Sequence, residues 1–398
     1  MIRPLIRRAQ SVSSEVRNFF LATCCIGFST SILDSTFNNY VSETFSISSL
    51  ARTLLEIPRE TPGLLLIFVA AGLFFLSGKR LAALAMVLCS AGLVLIAFVP
   101  HSYALMLGSL FVYSLGQHLF IPLSSSIGME LAREGAPGRR LGQLNSARNF
   151  ATILGSFGVL IAFHFLHCTF SIAFCIAAVV FLCAAGILMK MNPGKPHKSG
   201  IHLKLHKEYR LYYALCILFG TRKQIFLTFA PWVLVTVFKQ PTAFVATLLT
   251  IGGILGIVFQ PFLGRAIDRF GERTILAGEA IILVIVCSEY SLAGTFLPQS
   301  LALIVVSACY VSDQLLMSVG MARATYLKKI AIHPSHITPT LTMGVSIDHI
   351  FSIGGAVVCG IIWYHFGYRY VFMVAAGIAA INFFTTLKIT IPQKIHSA

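Results

Sequence analysis

Twelve apolar runs, each long enough to cross a bilayer, take up most of this 398-residue chain, at 17–41, 45–77, 80–99, 103–132, 142–166, 168–190, 209–237, 241–263, 274–296, 299–328, 339–364 and 367–388. A spanning helix needs about 20 apolar residues, and these segments are far too long for the strands of a membrane barrel. Lipid offers no partner to an unpaired backbone N–H or C=O, so runs of this length must be helical. Composition agrees: 11% of residues are charged and 57% hydrophobic, against about 25% charged in soluble domains. The expected fold class is therefore an all-α integral membrane protein with 12 transmembrane helices. The first apolar run starts at Asn18 and continues into a full span, so no cleavable leader is expected.

A net charge of +16 would point to nucleic acid in a soluble protein, but here it reads as topology. Of the 30 Lys and Arg residues, 23 fall in segments that share one side of the membrane, among them 1–17, 79–80, 133–140, 190–210 and 265–273. Arg52, Lys239 and Arg369 fall on the other side. The positive-inside rule then places both termini in the cytoplasm, as an even number of spans requires, and the expected location is the plasma membrane. Ten cysteines lie mostly within spans without CxxC or metal-ligand spacing. They read as small packing residues, and no metal or other cofactor is expected.

The longest polar stretch, 191–208, is rich in Pro, Gly, His and Lys and separates residues 1–190 from 209–398, six spans on each side. Residues 264–273 read Gly-Arg-Ala-Ile-Asp-Arg-Phe-Gly-Glu-Arg, a charged turn between two apolar runs. Glycines there allow a tight turn, and the Asp and Arg side chains can pair with each other or with helix ends. The echo of this loop lies 193 residues earlier, where Gly78 and Arg80 match Gly271 and Arg273 but Phe75 and Leu76 stand in for Asp268 and Arg269. The same offset pairs Gly27 with Gly220 and Arg17 with Arg210. The loop resembles the cytoplasmic signature of the major facilitator superfamily, with Gly264, Asp268, Arg269, Gly271 and Arg273 in its positions. The resemblance extends over essentially the whole chain and implies two pseudo-symmetric six-helix bundles (1–190 and 209–398) joined by a basic cytoplasmic linker. It further implies a substrate site at the bundle interface near the bilayer midplane, alternating access, and a conformational latch at the loop without substrate contact.

Charged groups inside spans cost a few kcal/mol or more, so they normally face a cavity or a partner. In the second span, Glu56, Arg59, Glu60 and Gly63 share one helical face beside Pro58 and Pro62. Arg59 is a candidate substrate ligand and Glu60 a candidate proton carrier, against the alternative of a purely structural ion pair. The seventh span carries Arg222 and Lys223, which point about 100° apart. Both are candidate substrate ligands, or members of fixed bridges to Asp34 or Glu60, and Trp232 on the same span is a candidate stacking surface. Asp34 and Asn38 share a polar stripe of the first span with Ser31 and Ser35, and Arg148 stands on a polar stripe of the fifth as a candidate gate. Gln117 is a further substrate candidate, while Asp34, His118, Asp313, Asp348 and His349 are candidate proton sites because buried carboxylates and imidazoles titrate in the useful range.

The reading these features support is a secondary active transporter, monomeric and proton-coupled, that moves a small organic solute, anionic or zwitterionic by the Arg222–Lys223 signal. Efflux of amphiphilic drugs is the alternative, with a non-transporting receptor on the same fold as the third. An enzyme is not expected, since no HExxH, GxSxG, phosphate loop or paired-cysteine metal site occurs.

Overall fold

The computed structural model of the chain describes residues 2–45, 55–98, 102–194 and 204–391, with the side chains of 2–13, Glu56 and Thr242 left aside. Arg52, the first third of the expected second span, and much of the basic linker fall outside the described residues. Among the described residues the structure is helical: α1 (Ile2–Phe45), α2 (Glu56–Gly72), α3 (Gly78–Phe98), α4 (Tyr103–Glu130), α5 (Pro137–Phe165), α6 (Phe170–Lys190), α7 (Arg210–Thr236), α8 (Thr242–Phe270), α9 (Glu272–Phe296), α10 (Gln299–Ile330), α11 (Ile337–Phe366) and α12 (Tyr368–Thr386). In α10 the pitch tightens to a 3-10 turn at Met317–Val319. Ten of these helices are long and apolar enough to cross a membrane. The other two are α2, of which 17 residues are described, and α7, which carries Arg222 and Lys223 near its middle.

Helix ends follow local chemistry. Ser102 and Thr169 stand before α4 and α6, and their hydroxyls accept the orphan N–H groups of Leu105 and Ile172, each at 3.4 Å. Gly271 and Gly367, with φ of 82° and 90°, turn the chain out of α8 and α11 where a side chain would be strained.

The chain divides into two compact units, one of 1–133, 143–204 and 338–343, the other of 134–142, 205–337 and 344–398. In the first unit the most extensive pairings are α3 with α4, α3 with α6, α1 with α6 and α2 with α4. In the second they are α9 with α10, α9 with α12, α7 with α12 and α8 with α10, the same four shifted by six helices. The repeat extends to single residues. A Cβ on Gly27 of α1 would stand 2.5 Å from the carbonyl oxygen of Arg148 on α5, and one on Gly220 of α7 would stand 2.5 Å from that of Asp348 on α11. In each unit the first helix therefore touches the fifth at a glycine, the close backbone approach that small residues allow in lipid.

The core of the second unit is apolar and aromatic, built from Phe226, Tyr290 and Phe372, whose rings stack and interlock at 4.6–5.4 Å. Large apolar side chains are also widely exposed, for example Phe68, Phe157, Ile304 and Phe384, each more than 60% accessible. Such a surface suits a hydrocarbon solvent and would aggregate in water. The ten cysteines are free.

Candidate functional site

In the first unit, charged and polar groups from α1, α2 and α4 form a connected series. Asp34, on the exposed stripe of α1 with Ser35 and Asn38, approaches the guanidinium of Arg59 on α2 at 3.9 Å. Both side chains are about half accessible, 54% and 44%. One residue on, Glu60 faces Nε2 of His118 on α4 at 4.0 Å, a spacing beyond a direct hydrogen bond. Nδ1 of His118 sits 2.9 Å from the backbone oxygen of Ser114, so that nitrogen carries the hydrogen and Nε2 is the one presented to Glu60. The hydroxyl of Ser114 donates to the backbone oxygen of Arg59, which ties the Arg59 segment to the His118 helix. One turn of α4 away, Gln117 donates to Thr30 of α1 and to the hydroxyl of Tyr113, both at 3.1 Å. Arg148 is an exposed side chain of α5, set where α5 crosses Gly27.

The second unit treats its charges differently. Arg222 and Lys223 diverge as the helix geometry requires, Arg222 to Asp313 on α10 and Lys223 to Asp348 on α11 at 2.8 Å. Both therefore take their counter-charges from their own half, neither from Asp34 nor from Glu60. The Arg222–Asp313 pair is closed off, its side chains 3% and 0% exposed. Ser352 stands beside the other pair, its hydroxyl donating to the backbone oxygen of Gly220 at 2.9 Å and lying 3.3 Å from Oδ1 of Asp348.

Two further charges that the sequence reading did not single out complete the buried cluster. Glu279 of α9 lies 4.0 Å from Arg323 of α10, with side chains 1% and 9% exposed. The guanidinium of Arg323 stands over the ring of Phe219 at 3.5 Å, and that of Arg222 lies 5.7 Å from the same ring. An acidic residue inside an apolar run was the available signal for Glu279. Arg323 falls inside the tenth apolar run, five residues before Lys328 and Lys329, and the structure buries it within α10, apart from those two cations at the helix end. His349 is buried on α11, its Nδ1 donating to the backbone oxygen of Val345 at 2.8 Å. Trp232 is 57% exposed on α7, two to three turns beyond Arg222 and Lys223.

The loop signature acquires a specific contact. Asp268 ends α8, and its two carboxylate oxygens accept the backbone N–H groups of Gly138 (2.8 Å) and Arg139 (2.7 Å) in the first turn of α5. An anion at a helix N-terminus satisfies orphan donors and complements the dipole. A Cβ on Gly264 would collide with the backbone of Gly138, so that glycine allows the approach, and Gly271 makes the turn. Arg269 lies 5.3 Å from the ring of Phe270, and Arg273 is exposed at the start of α9.

The family model described as Major Facilitator Superfamily matches residues 19–331. Among curated protein sequences none matches the chain. Solved structures similar to it include the transporter FucP in the outward conformation, at 15% identity and a TM-score of 0.77, covering 96% of this chain and 100% of that one. The human organic anion transporter MFSD10 aligns at 13% identity and a TM-score of 0.68, covering 94% and 99%. The proton:xylose symporter XylE aligns at 15% identity and a TM-score of 0.69, covering 96% of each chain.

Proposed function

The chain belongs to the major facilitator superfamily, and on that premise we propose that it is a secondary active transporter, not an enzyme, which moves a small organic anion or zwitterion by alternating access coupled to protons. One observation carries the sign of the substrate. Arg59 is held 3.9 Å from a half-exposed Asp34, whereas Arg222 is sealed onto Asp313. An accessible pair of this kind is worth about 1 kcal/mol or less. Exchanging Asp34 for the carboxylate of an incoming solute therefore costs Arg59 little, and a guanidinium fork grips a carboxylate bidentately. Opening the Arg222 pair would leave a buried charge uncompensated, at about 3–5 kcal/mol. The direct substrate ligand is thus Arg59, with Asn38 and Gln117 alongside, while Arg222 and Lys223 hold the second bundle together.

Coupling follows from the same exchange. When Arg59 turns to the solute, Asp34 is left without its counter-charge, and a proton is the smallest cation that can replace it. Glu60 and His118, joined to the Arg59 segment through Ser114, form the adjoining proton-handling pair. The names of two similar structures, a proton:xylose symporter and an organic anion transporter, support proton coupling and anionic cargo by analogy of fold. We place the protein in the plasma membrane as a monomer with cytoplasmic termini, and we assign the Asp268 contact the role of latch.

A thermal-shift screen of the purified protein against organic anions, amines, sugars and lipids identifies a ligand, because binding stabilises the folded state by mass action. In proteoliposomes the labelled hit should accumulate when the interior is made alkaline. Arg59→Ala should abolish that accumulation while leaving the protein folded. Uptake unaffected by Arg59→Ala and by every imposed pH gradient would overturn the proposal.

A further inference from the structure

Along α1 from Asp34 the chain reaches Glu43, nine residues and about 13 Å further up the helix. There the first unit holds a cavity of about 640 Å3 bounded by α1, the end of α5, the turn into α6 and the first residue of α6. That volume is in the range of small-molecule sites. One wall is aromatic, with Phe163 and Phe170 at a ring separation of 5.3 Å. The lining also has a polar part, which includes Asn39, Glu43, His164 and Cys168. The turn that closes it is well tied down: Leu166 and Cys168 both donate their N–H groups to the backbone oxygen of Ala162, at 3.2 and 3.0 Å, and His167 adopts φ 48° to make this possible.

Charge decides what fits. No Lys or Arg lines the cavity, Glu43 is its one carboxylate, and among the described residues no cation pairs with Glu43. A small anion would meet an unshielded negative charge, and lipid tails would leave the polar part unsatisfied. A cation with an apolar body satisfies both parts of the lining, its charge at Glu43 and its body against the two phenylalanine rings, whose faces also attract cations. By the distribution of Lys and Arg, this end of α1 lies on the face away from the basic loops. We propose that this cavity is a second ligand site, separate from Arg59, which takes organic ammonium compounds from the outer side of the membrane.

Cys168, native to the cavity and partly exposed, supplies the probe. The wild-type chain in lipid nanodiscs is treated with either of two methanethiosulfonate reagents, one bearing a trimethylammonium group and one a sulfonate, and labelling of the Cys168 peptide is followed by mass spectrometry. Relative to a free thiol in solution, Cys168 should favour the cationic reagent by about tenfold, the lower end for a cleft lined by one sign of charge. Glu43→Gln should bring that ratio close to one. Independently of any variant, benzyltrimethylammonium should slow labelling of the wild-type protein and benzenesulfonate should not. The proposal is overturned if the wild-type ratio is near one, if the preference survives Glu43→Gln, or if the two blockers protect equally. None of these readouts depends on transport, so the result stands apart from the fate of the Arg59 assignment.

Discussion

At the start of α3 the first half places Lys79 between Glu15 and Glu130, each 3.1 Å away, and 193 residues later the second half starts α9 with Glu272, bonded to Lys329 at 2.8 Å. The sign is reversed at the equivalent position, yet both halves pair the third helix of the bundle with the end of the fourth. The repeat therefore preserves the pairing of charges and is indifferent to which helix carries which sign. Deeper in the bundles the halves part company. The first keeps Arg59 and Asp34 loosely together and accessible, while the second buries Arg222, Asp313, Glu279 and Arg323 in a closed set. One plan of helix packing thus supports a half whose charges are free to change partners and a half whose charges fix its structure.

The sharpest way to break this contrast is to remove one acid from each half. Asp313→Ala leaves Arg222 buried and uncompensated and should cost about 3–5 kcal/mol of stability, whereas Asp34→Ala at the half-exposed pair should cost about 1 kcal/mol or less. Thermal unfolding in a fixed lipid environment measures both, and similar losses would end the distinction. Replacing the pair together, as Arg222→Met with Asp313→Leu, should recover most of the loss because no stranded charge remains. If it does not, the cluster with Glu279 and Arg323 depends on Arg222 for more than neutralisation.

Where the halves agree, they should fail alike. Gly27→Ala and Gly220→Ala each place a methyl group 2.5 Å from a backbone oxygen of the fifth helix of their bundle. A backbone oxygen cannot swing aside as a side-chain end can, and at Gly220 the carboxylate of Asp348 must move as well, so each change should cost about 1–3 kcal/mol, the usual range for overpacking. Gly158→Ala, whose nearest neighbour is a ring atom of Phe28 at 4.0 Å, should stay within about 0.5 kcal/mol. A large difference between Gly27 and Gly220 in the same assay would show that the repeat is not mechanically equivalent.

Much of the architecture was legible because lipid makes its demands on composition. Unbroken apolar runs, a basic tally on one side and matched glycines 193 residues apart can all be read without knowing a single contact. The roles of individual charges were less legible, because an ion pair between helices leaves no local trace. Nothing around Arg222 in sequence points to Asp313, 91 residues away. The same limit explains why Arg222 and Lys223 weighed toward an anionic cargo, when within the bundle each already has a carboxylate. Glu279 was visible by the rule that flagged the other acids, and Arg323 was masked by its closeness to Lys328 and Lys329, with which it reads as the basic end of a span. The weak echo of the loop signature also gains a physical reason. Helix α8 continues to Phe270, so Asp268 lies on its last turn, whereas α2 stops at Gly72 and leaves the matching Phe75 in a turn beyond the helix. A carboxylate there would not be held on a helix end, and the first copy has no use for one.

Asp268 combines a small expected change in stability with an expected change in turnover. Its carboxylate holds two backbone N–H groups at the start of α5, one on each oxygen. Asparagine would keep one acceptor and lose both the second acceptor and the charge. A charge at a helix end is worth about 0.3–1 kcal/mol, so Asp268→Asn should barely lower the unfolding temperature. If α5 must leave Asp268 and return to it in each transport cycle, the same fraction of a kcal/mol appears as a shift in the balance of conformations, and turnover should change about two- to fivefold while ligand affinity in the thermal-shift assay stays nearly constant. Conversion of Gly138 to Ala, which would place a Cβ 2.6 Å from the backbone oxygen of Gly264, should disturb the same contact from the other side. Agreement between the two variants, with turnover altered and affinity kept, identifies the contact as a latch, and a defect confined to affinity would assign Asp268 to ligand binding instead.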